Sequence, residues 1–168
     1  MSVSGQIRVA SLLVAAGLSG LSAPSPAQAA GPVPASSRQP AADYVYRIFA
    51  GKSADWGGGS YAYWDPKGTF YAVNSSEQSI GFGRWYATTA GRMCYEAHWV
   101  WKQDFGLKES EVKTCTRYRV DGAGDLWSTT GGMSGPWFPF GTDNLTAGDS
   151  VTAQFHAMHR DMGLPLSR

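Results

Sequence analysis

The sequence predicts an all-β fold: a small antiparallel meander barrel or sandwich, lipocalin-like in outline, with one short N-terminal helix and one disulfide. The first observation is composition. The 168 residues include seven Trp, eight Tyr, seven Phe and 21 Gly, a combination typical of short strands joined by tight turns. The second is that the two cysteines, Cys94 and Cys115, fall in segments with the pattern of neighbouring strands.

Residues 1–29 have the three parts of a secretory signal peptide. A short basic start with Arg8 precedes an apolar stretch, and the small residues Ala27 and Ala29 suit cleavage after Ala29. The apolar stretch is about 13 residues long, whereas a membrane-spanning helix needs about 20. We therefore expect a periplasmic or secreted protein, with no stable membrane insertion after signal cleavage.

The rest of the chain is long enough for one domain with one core. Residues 30–40 are polar and proline-rich and are predicted to form a disordered linker. Residues 41–160 are predicted to form a single β domain, and residues 161–168 a flexible tail. Removing Arg8 with the leader lowers the formal charge from +1 to zero. A neutral chain with dispersed charges does not favour binding to nucleic acid or to an anionic membrane.

Residues 41–50 are the predicted helix. Pro40 suits a helix start, Tyr44 and Ile48 are four residues apart, and Gly51 is a natural C-terminal stop. A strand is the competing interpretation, because the same segment is rich in residues with strand propensity.

A first hairpin is predicted from Tyr61–Trp64 and Thr69–Val73. The four residues between them form a turn in which Pro66 presets φ and Gly68 closes the chain reversal. Another strand is predicted over residues 80–88, followed by a tight turn.

The clearest strand runs from Met93 to Trp101. Its alternation predicts two faces. The face expected to lie in the core carries Met93, Tyr95, Ala97, Trp99 and Trp101, and the opposite face carries Cys94, Glu96, His98 and Val100.

The C-terminal half is predicted to complete the sheet. Residues 102–112 are interpreted as a charged connection and residues 113–120 as the next strand. Residues 125–130 and 150–158 are further strand candidates, and the Gly- and Pro-rich residues 131–141 are an irregular edge strand or covering loop. The total is roughly seven or eight short antiparallel strands, which suits a curled meander.

An even cysteine count in an exported chain predicts a disulfide between Cys94 and Cys115. In an antiparallel pair, that bond sets a register in which Glu96 lies opposite Lys113. The same register places Arg92 opposite residue 117, another arginine, which is unfavourable except at a strand end.

Four polar side chains share the face beside the disulfide: Glu96, His98, Arg117 and Arg119. They are the tentative ligand-binding residues, and two interpretations stay open. One is a polar barrel lumen that holds a small anionic or polar ligand. The other is a solvent-facing strip on a sheet whose opposite face is core.

No catalytic residue, metal site or cofactor is predicted. Glu96 and His98 are the right types for acid–base chemistry, but no nucleophile or oxyanion site accompanies them. His156 and His159 would point to opposite faces of the expected strand, and no third ligand is near in sequence. The tryptophans suggest either a carbohydrate-stacking platform or core packing, and their positions favour the core.

Several of these segments resemble a known family. The shared segments are residues 46–52, 56–63, 68–72, 83–86, 91–97 and 115–122. The most specific are Gly-Arg-Trp-Tyr and Gly-Arg-Met-Cys-Tyr, followed by a second cysteine that begins Cys-Thr-Arg. Their order resembles the bacterial "domain of unknown function 995" family of exported proteins, over roughly residues 44–155. The resemblance implies a proteobacterial periplasmic β domain and brings no established activity.

The expected function is therefore that of a non-enzymatic exported β domain that binds a small ligand or a cell-envelope protein. One alternative is a structural or interaction module of the envelope without a ligand cavity. The other is an enzyme that uses Glu96 and His98.

Overall fold

The computed structural model describes residues 31–33, 35–129 and 136–165. The predicted signal peptide, residues 131–135 of the predicted covering loop and the last three residues of the predicted tail lie outside these ranges. Within them the chain forms, in order, α1 (Ala42–Phe49), β1 (Lys52–Gly57), β2 (Ser60–Trp64), β3 (Thr69–Asn74), β4 (Ser79–Thr88), β5 (Arg92–Gln103), β6 (Gly106–Val120), β7 (Leu126–Thr129), β8 (Trp137–Pro139), β9 (Leu145–Ala147) and α2 (Thr152–Asp161).

The nine strands form one antiparallel meander sheet in the order β8-β7-β6-β5-β4-β3-β2-β1-β9. The end strands β8 and β9 do not pair with each other in the described part of the chain, so the sheet is not closed into a barrel. This corrects the expected closed barrel or two-sheet sandwich. The end pairings are short: β7 meets β6 only over Tyr118–Val120, and β9 meets β1 only over Lys52–Ala54.

The locally encoded elements are confirmed. The predicted helix is α1, and β2 and β3 form the predicted hairpin with Gly68 at a φ of 90°. Cys94 pairs with Cys115 across β5 and β6, and their S–S distance is 2.07 Å. The register places Glu96 opposite Lys113 as predicted.

Two sequence predictions are wrong, and β1 and β9 fall where no strand is predicted. Residues 102–112 are not a connection, because β5 and β6 continue as a long hairpin to a turn at Asp104 and Phe105. β1 was not predicted, and it exists because both of its edges find partners, β2 and β9. The candidate strand over residues 150–158 is instead helix α2.

Helix α2 forms because its first turn is capped and its apolar side chains meet the sheet. The Asp149 carboxylate accepts hydrogen bonds from the backbone N–H groups of Val151 and Thr152, both at 2.9 Å. Phe155 and His159, four residues apart, are both buried. These two effects outweigh the strand propensity of the segment.

Each helix covers one face of the sheet. We call the face against α1 the inner face; its buried cluster joins Val45 and Phe49 of α1 to Trp64, Phe70 and other sheet residues. The face against α2 is the outer face, where Val151 and Phe155 pack on Val73, Ile80 and Val100. The outer face of β5 is therefore partly core, in addition to the predicted core face that carries Met93 and Ala97.

The sheet curls around its inner face. β1 and β5 are four strands apart, about 19 Å in a flat sheet. Nevertheless, the ring centroids of Trp56 on β1 and Tyr95 on β5 are 6.4 Å apart. The curvature turns the inner face into a concave surface.

The segment before α1 lies against the last strands of the meander. Gly31 pairs with Trp137, and Arg38 pairs with Val120. No helix among the described residues is long and apolar enough to span a membrane.

Candidate ligand-binding cleft

A cleft opens on the inner face with a volume of about 330 Å³. It lies where the curled sheet brings β1 and β9 towards β5 and β6. Its lining is mostly aromatic and apolar, with three small polar side chains: Phe49, Ala54, Trp56, Trp64, Met93, Tyr95, Thr114, Thr116, Tyr118, Phe140, Asn144 and Leu145.

Packed rings form the wall of the cleft on the strand side. Phe70 stacks on Tyr95 with centroids 4.6 Å apart, and Trp64 lies 4.8 Å from Phe70. Trp56 stacks on Phe70 at 6.2 Å, and 42% of its surface is exposed. Trp56 is therefore the most exposed aromatic ring of the lining and lies at the rim, while the rings behind it are held in place by packing.

Helix α1 closes one end of the cleft through Phe49. The Phe49 ring lies 5.6 Å from Trp64, 5.8 Å from Tyr118 and 5.9 Å from Phe140. These four rings come from the helix, two strands and a loop, so the cleft exists only in the folded chain.

Small residues make room for the rings. Phe70 lies opposite Gly83, which in turn lies opposite Ala97. A Cβ at Gly83 would sit 2.0 Å from the carbonyl oxygen of Glu96. Glycine therefore allows β4 and β5 to approach closely below the aromatic wall.

The cleft is uncharged. None of the described residues that line it is Asp, Glu, Lys, Arg or His. Burial raises the pKa of Tyr118 still further above neutral pH, so its phenol keeps its proton. The hydroxyls of Thr114 and Thr116 and the amide of Asn144 supply hydrogen-bond donors and acceptors. Such a lining suits stacking and neutral hydrogen bonding, and it offers no general base.

The predicted site residues lie on the opposite, outer face. β6 alternates, so Thr114, Thr116 and Tyr118 line the cleft while Lys113, Cys115 and the two arginines at 117 and 119 face away from it. Glu96 and His98 are brought together beside Arg84 and Glu111 in a shallow depression on this outer face. Arg117 and Arg119 do not line that depression.

Two groups of charged side chains lie on the outer face, one around Glu96 and one around His98, and the members of each group contact one another. Glu96 contacts Arg84 Nη2 at 2.6 Å and Lys113 Nζ at 2.8 Å, and it accepts a hydrogen bond from the Tyr86 hydroxyl at 2.9 Å. His98 Nδ1 lies 2.8 Å from Glu111, and its Nε2 lies 3.3 Å from Glu109.

The two arginines lie at the other end of β6, and a ring contact is seen for one of them. The Arg117 guanidinium lies 5.6 Å above the Trp137 ring, and Arg119 is opposite Trp127 in the β6–β7 ladder. The contact of Arg117 with Trp137 links β6 to β8 across β7.

The contacts around Glu96 predict that its carboxyl takes up a proton only at low pH. Hydrogen bonds from Lys113, Arg84 and Tyr86 lower the pKa of Glu96 from 4.5 to about 2. A lowered pKa stabilises the fold above the unfolded value, and we expect this contribution to be lost as the pH falls from 4.5 to about 2. An NMR titration of the Glu96 carboxyl measures the lowered pKa directly.

In that titration, Lys113→Gln is expected to move the Glu96 pKa back towards its ordinary value, because the largest cause is removed. Lys67→Gln, in the β2–β3 turn, is the matched control and is expected to leave it unchanged. A Glu96 carboxyl that titrates at its ordinary pKa in the unsubstituted protein would contradict the paired arrangement.

The sequence contained a signal for part of the cleft. The register set by the disulfide places Thr116 opposite Met93 and Thr114 opposite Tyr95, so two polar residues fall on the face predicted to be core. Polar residues at core positions are a sign of a cavity or a buried network. Trp56 and Asn144 had no such signal, because their places depend on the sheet curl and on β9.

His156 and His159 lie on α2, where His159 is buried beside Phe155, with ring centroids 5.8 Å apart. Among residues 31–33, 35–129 and 136–165, no group of three His, Cys, Asp or Glu side chains is arranged to hold a metal ion.

The chain belongs to the family described as "Protein of unknown function (DUF995)", whose model matches residues 15–159. The match spans every strand, both cysteines and all the cleft residues. No curated protein and no solved structure matches the chain significantly.

Proposed function

We propose that this member of the family is an exported, non-enzymatic binding protein that holds a small neutral ligand in the inner-face cleft. The observation that carries the proposal is the chemistry of the lining. Aromatic rings, two threonines and one asparagine surround a volume of about 330 Å³. None of the described residues that line this volume is charged.

The size and chemistry of the cleft support this ligand class. Small-molecule sites commonly enclose about 300–1,000 Å³ and combine apolar walls with a few polar groups. A ring or short apolar chain would contact Trp56 and Tyr95, and a hydroxyl, ether or carbonyl group would bond to Thr114, Thr116 or Asn144. A charged ligand would lose hydration in the cleft without gaining a countercharge, so it is disfavoured.

Export is part of the proposal. The N-terminal pattern of residues 1–29 is that of a cleavable leader. The Cys94–Cys115 disulfide suits the oxidising periplasm or the outside of the cell. Lipocalins hold a small ligand inside a closed β-barrel. Here the sheet is open, and the cleft lies on its concave inner face.

The test uses a neutral fluorescent probe, N-phenyl-1-naphthylamine, and an anionic one, anilinonaphthalene sulfonate. We expect the neutral probe to bind more tightly. Thr114→Phe should weaken its binding by about tenfold or more, because the larger ring fills the cleft. Trp56→Ala should weaken it by about tenfold, through the loss of a stacking surface.

The matched control is Phe105→Ala, an aromatic truncation at the fully exposed tip of the β5–β6 hairpin. It should leave probe binding unchanged. If the neutral probe fails to bind, or binds equally well to Thr114→Phe and to the unsubstituted protein, the cleft is not the site and the proposal is wrong.

An envelope-interaction module is the second candidate. One observation favours it: Phe105 is fully exposed and Leu107 is 40% exposed at the tip of the same hairpin. Co-purification with an envelope component that is lost on Phe105→Ala, together with unaltered probe binding, would assign the tip to a partner and keep the cleft for a ligand.

A further inference from the structure

Strand β6 has one open edge. One side pairs with β5 from Gly106 to Arg117. The other side pairs with β7 only over Tyr118–Val120, so from Gly106 to Thr116 it has no strand neighbour in the described part of the chain. Most of this segment is solvent-exposed. An open edge of this length is a template for strand pairing.

The backbone groups on this edge belong to the odd-numbered residues. The Arg117 N–H is directed to the β7 side, where it donates to Thr129 Oγ1, and the Tyr118 N–H is directed to the β5 side, where it donates to Gly91. Backbone direction alternates along a strand. Glu109, Glu111 and Lys113 therefore present their N–H and C=O groups on the open edge.

A second copy of this chain can pair there in only a few symmetric registers. A two-fold axis perpendicular to the sheet pairs inner-face residues with inner-face residues and outer-face residues with outer-face residues. In every such register one residue lies opposite its own copy, and the register is centred on that residue. Centring on Glu111 or on Lys113 places like charges directly opposite each other. Centring on Ser110 places Glu109 opposite Glu111 of the partner subunit, which is again repulsive.

The register centred on Val112 is different. It places Lys113 opposite Glu111 of the partner subunit and repeats this attraction through the symmetry axis. Val112 meets its own copy, and Ser110 lies opposite Thr114 of the partner subunit. No like charges are directly opposite between Lys108 and Thr116 in this register.

We propose that this chain forms a dimer by antiparallel pairing of the two β6 edges in the register centred on Val112. Charged edges usually resist pairing. Among the registers centred on residues 110 to 113, the Val112 register is the one that joins opposite charges without placing like charges opposite each other. The Glu111 register combines attraction between Glu109 and Lys113 of the partner subunit with repulsion between the two copies of Glu111. Lys113, already 2.8 Å from Glu96, would lie between that carboxylate and Glu111 of the partner subunit. Dimer formation does not require the proposed ligand, although Thr114 and Thr116 of the paired segment also line the cleft.

The test is the oligomeric state of the oxidised protein, measured by sedimentation velocity over a range of concentrations. The unsubstituted protein should dimerise. Glu111→Lys and Lys113→Glu should each weaken self-association by about tenfold or more, because each turns both attractive pairs into repulsive ones. Lys67→Glu, in the β2–β3 turn, is the control and should have no effect.

Mixing the two single variants separates a lost interface from a damaged fold. The mixture should form heterodimers, because an edge with two lysines then faces an edge with two glutamates. A protein that stays monomeric at its highest soluble concentration overturns the proposal. So does a dimer that neither variant weakens, or a mixture of the variants that remains monomeric.

Discussion

Gly83→Ala is expected to destabilise the protein by about 3 kcal/mol, the upper end of the usual overpacking cost. The new Cβ would lie 2.0 Å from the Glu96 carbonyl oxygen and 2.8 Å from the Ala97 Cα. Both are backbone atoms of β5, so relief requires β4 and β5 to separate. Separation would break the ladder that carries the cleft wall. Urea unfolding followed by tryptophan fluorescence measures the loss.

Gly81→Ala is the matched comparison on the same strand. Its Cβ would meet the Trp99 ring at 2.7 Å, and a side chain can rotate away where a backbone cannot. We expect a smaller loss of stability there. Gly141→Ala, whose nearest contact would be an Asp143 carboxylate oxygen at 3.8 Å, should be nearly neutral. Equal losses of unfolding free energy for Gly83→Ala and Gly81→Ala would show that the clash with the β5 backbone does not determine the cost.

Removing the disulfide is expected to cost about 3 kcal/mol of unfolding free energy in the chain-entropy model. Cys94 and Cys115 are 21 positions apart in the sequence, and their bond restricts the unfolded chain over the turn and most of both strands of the β5–β6 hairpin. The double substitution Cys94→Ala with Cys115→Ala tests this by urea unfolding without added reductant.

Dithiothreitol provides the control. It should destabilise the unsubstituted protein by a similar amount and leave the double variant unchanged, because the described residues contain no other cysteine. A double variant as stable as the oxidised parent would mean that the strand pairing alone restricts this hairpin.

Local chemistry explains the elements that the sequence predicted well. The β2–β3 turn depends on Pro66 and on Gly68 at positive φ, and both are visible in the sequence. The β5–β6 register follows from the cysteine pair once the strands are recognised as antiparallel.

Helix α2 was missed because local propensity and tertiary burial disagree there. Residues 151–155 have strand-like composition, but Asp149 caps a helix and Phe155 finds a buried place against Tyr71, with ring centroids 5.1 Å apart. Propensity is a weak effect compared with the burial of an aromatic ring.

The candidate site was only partly predictable for a related reason. The sequence drew attention to Glu96 and His98 because charged residues in a strand are conspicuous. In the structure these residues pair with Arg84, Lys113 and Glu111 on the outer face. The cleft residues are neutral, and nothing in the sequence distinguishes an aromatic ring that lines a cavity from one that fills a core.

By itself, the sequence determined an antiparallel β meander, its β2–β3 hairpin and the partner of each cysteine, and it favoured helix α1 over a strand, because turns, alternation and sulfur pairing act over short or covalently defined distances. Only the tertiary structure decided that the sheet curls without closing and that Trp56 reaches Tyr95. The same holds for the uncharged cleft on one face and the salt-bridged clusters on the other. Those features depend on how strands distant in sequence twist and pack, and no single segment encodes them.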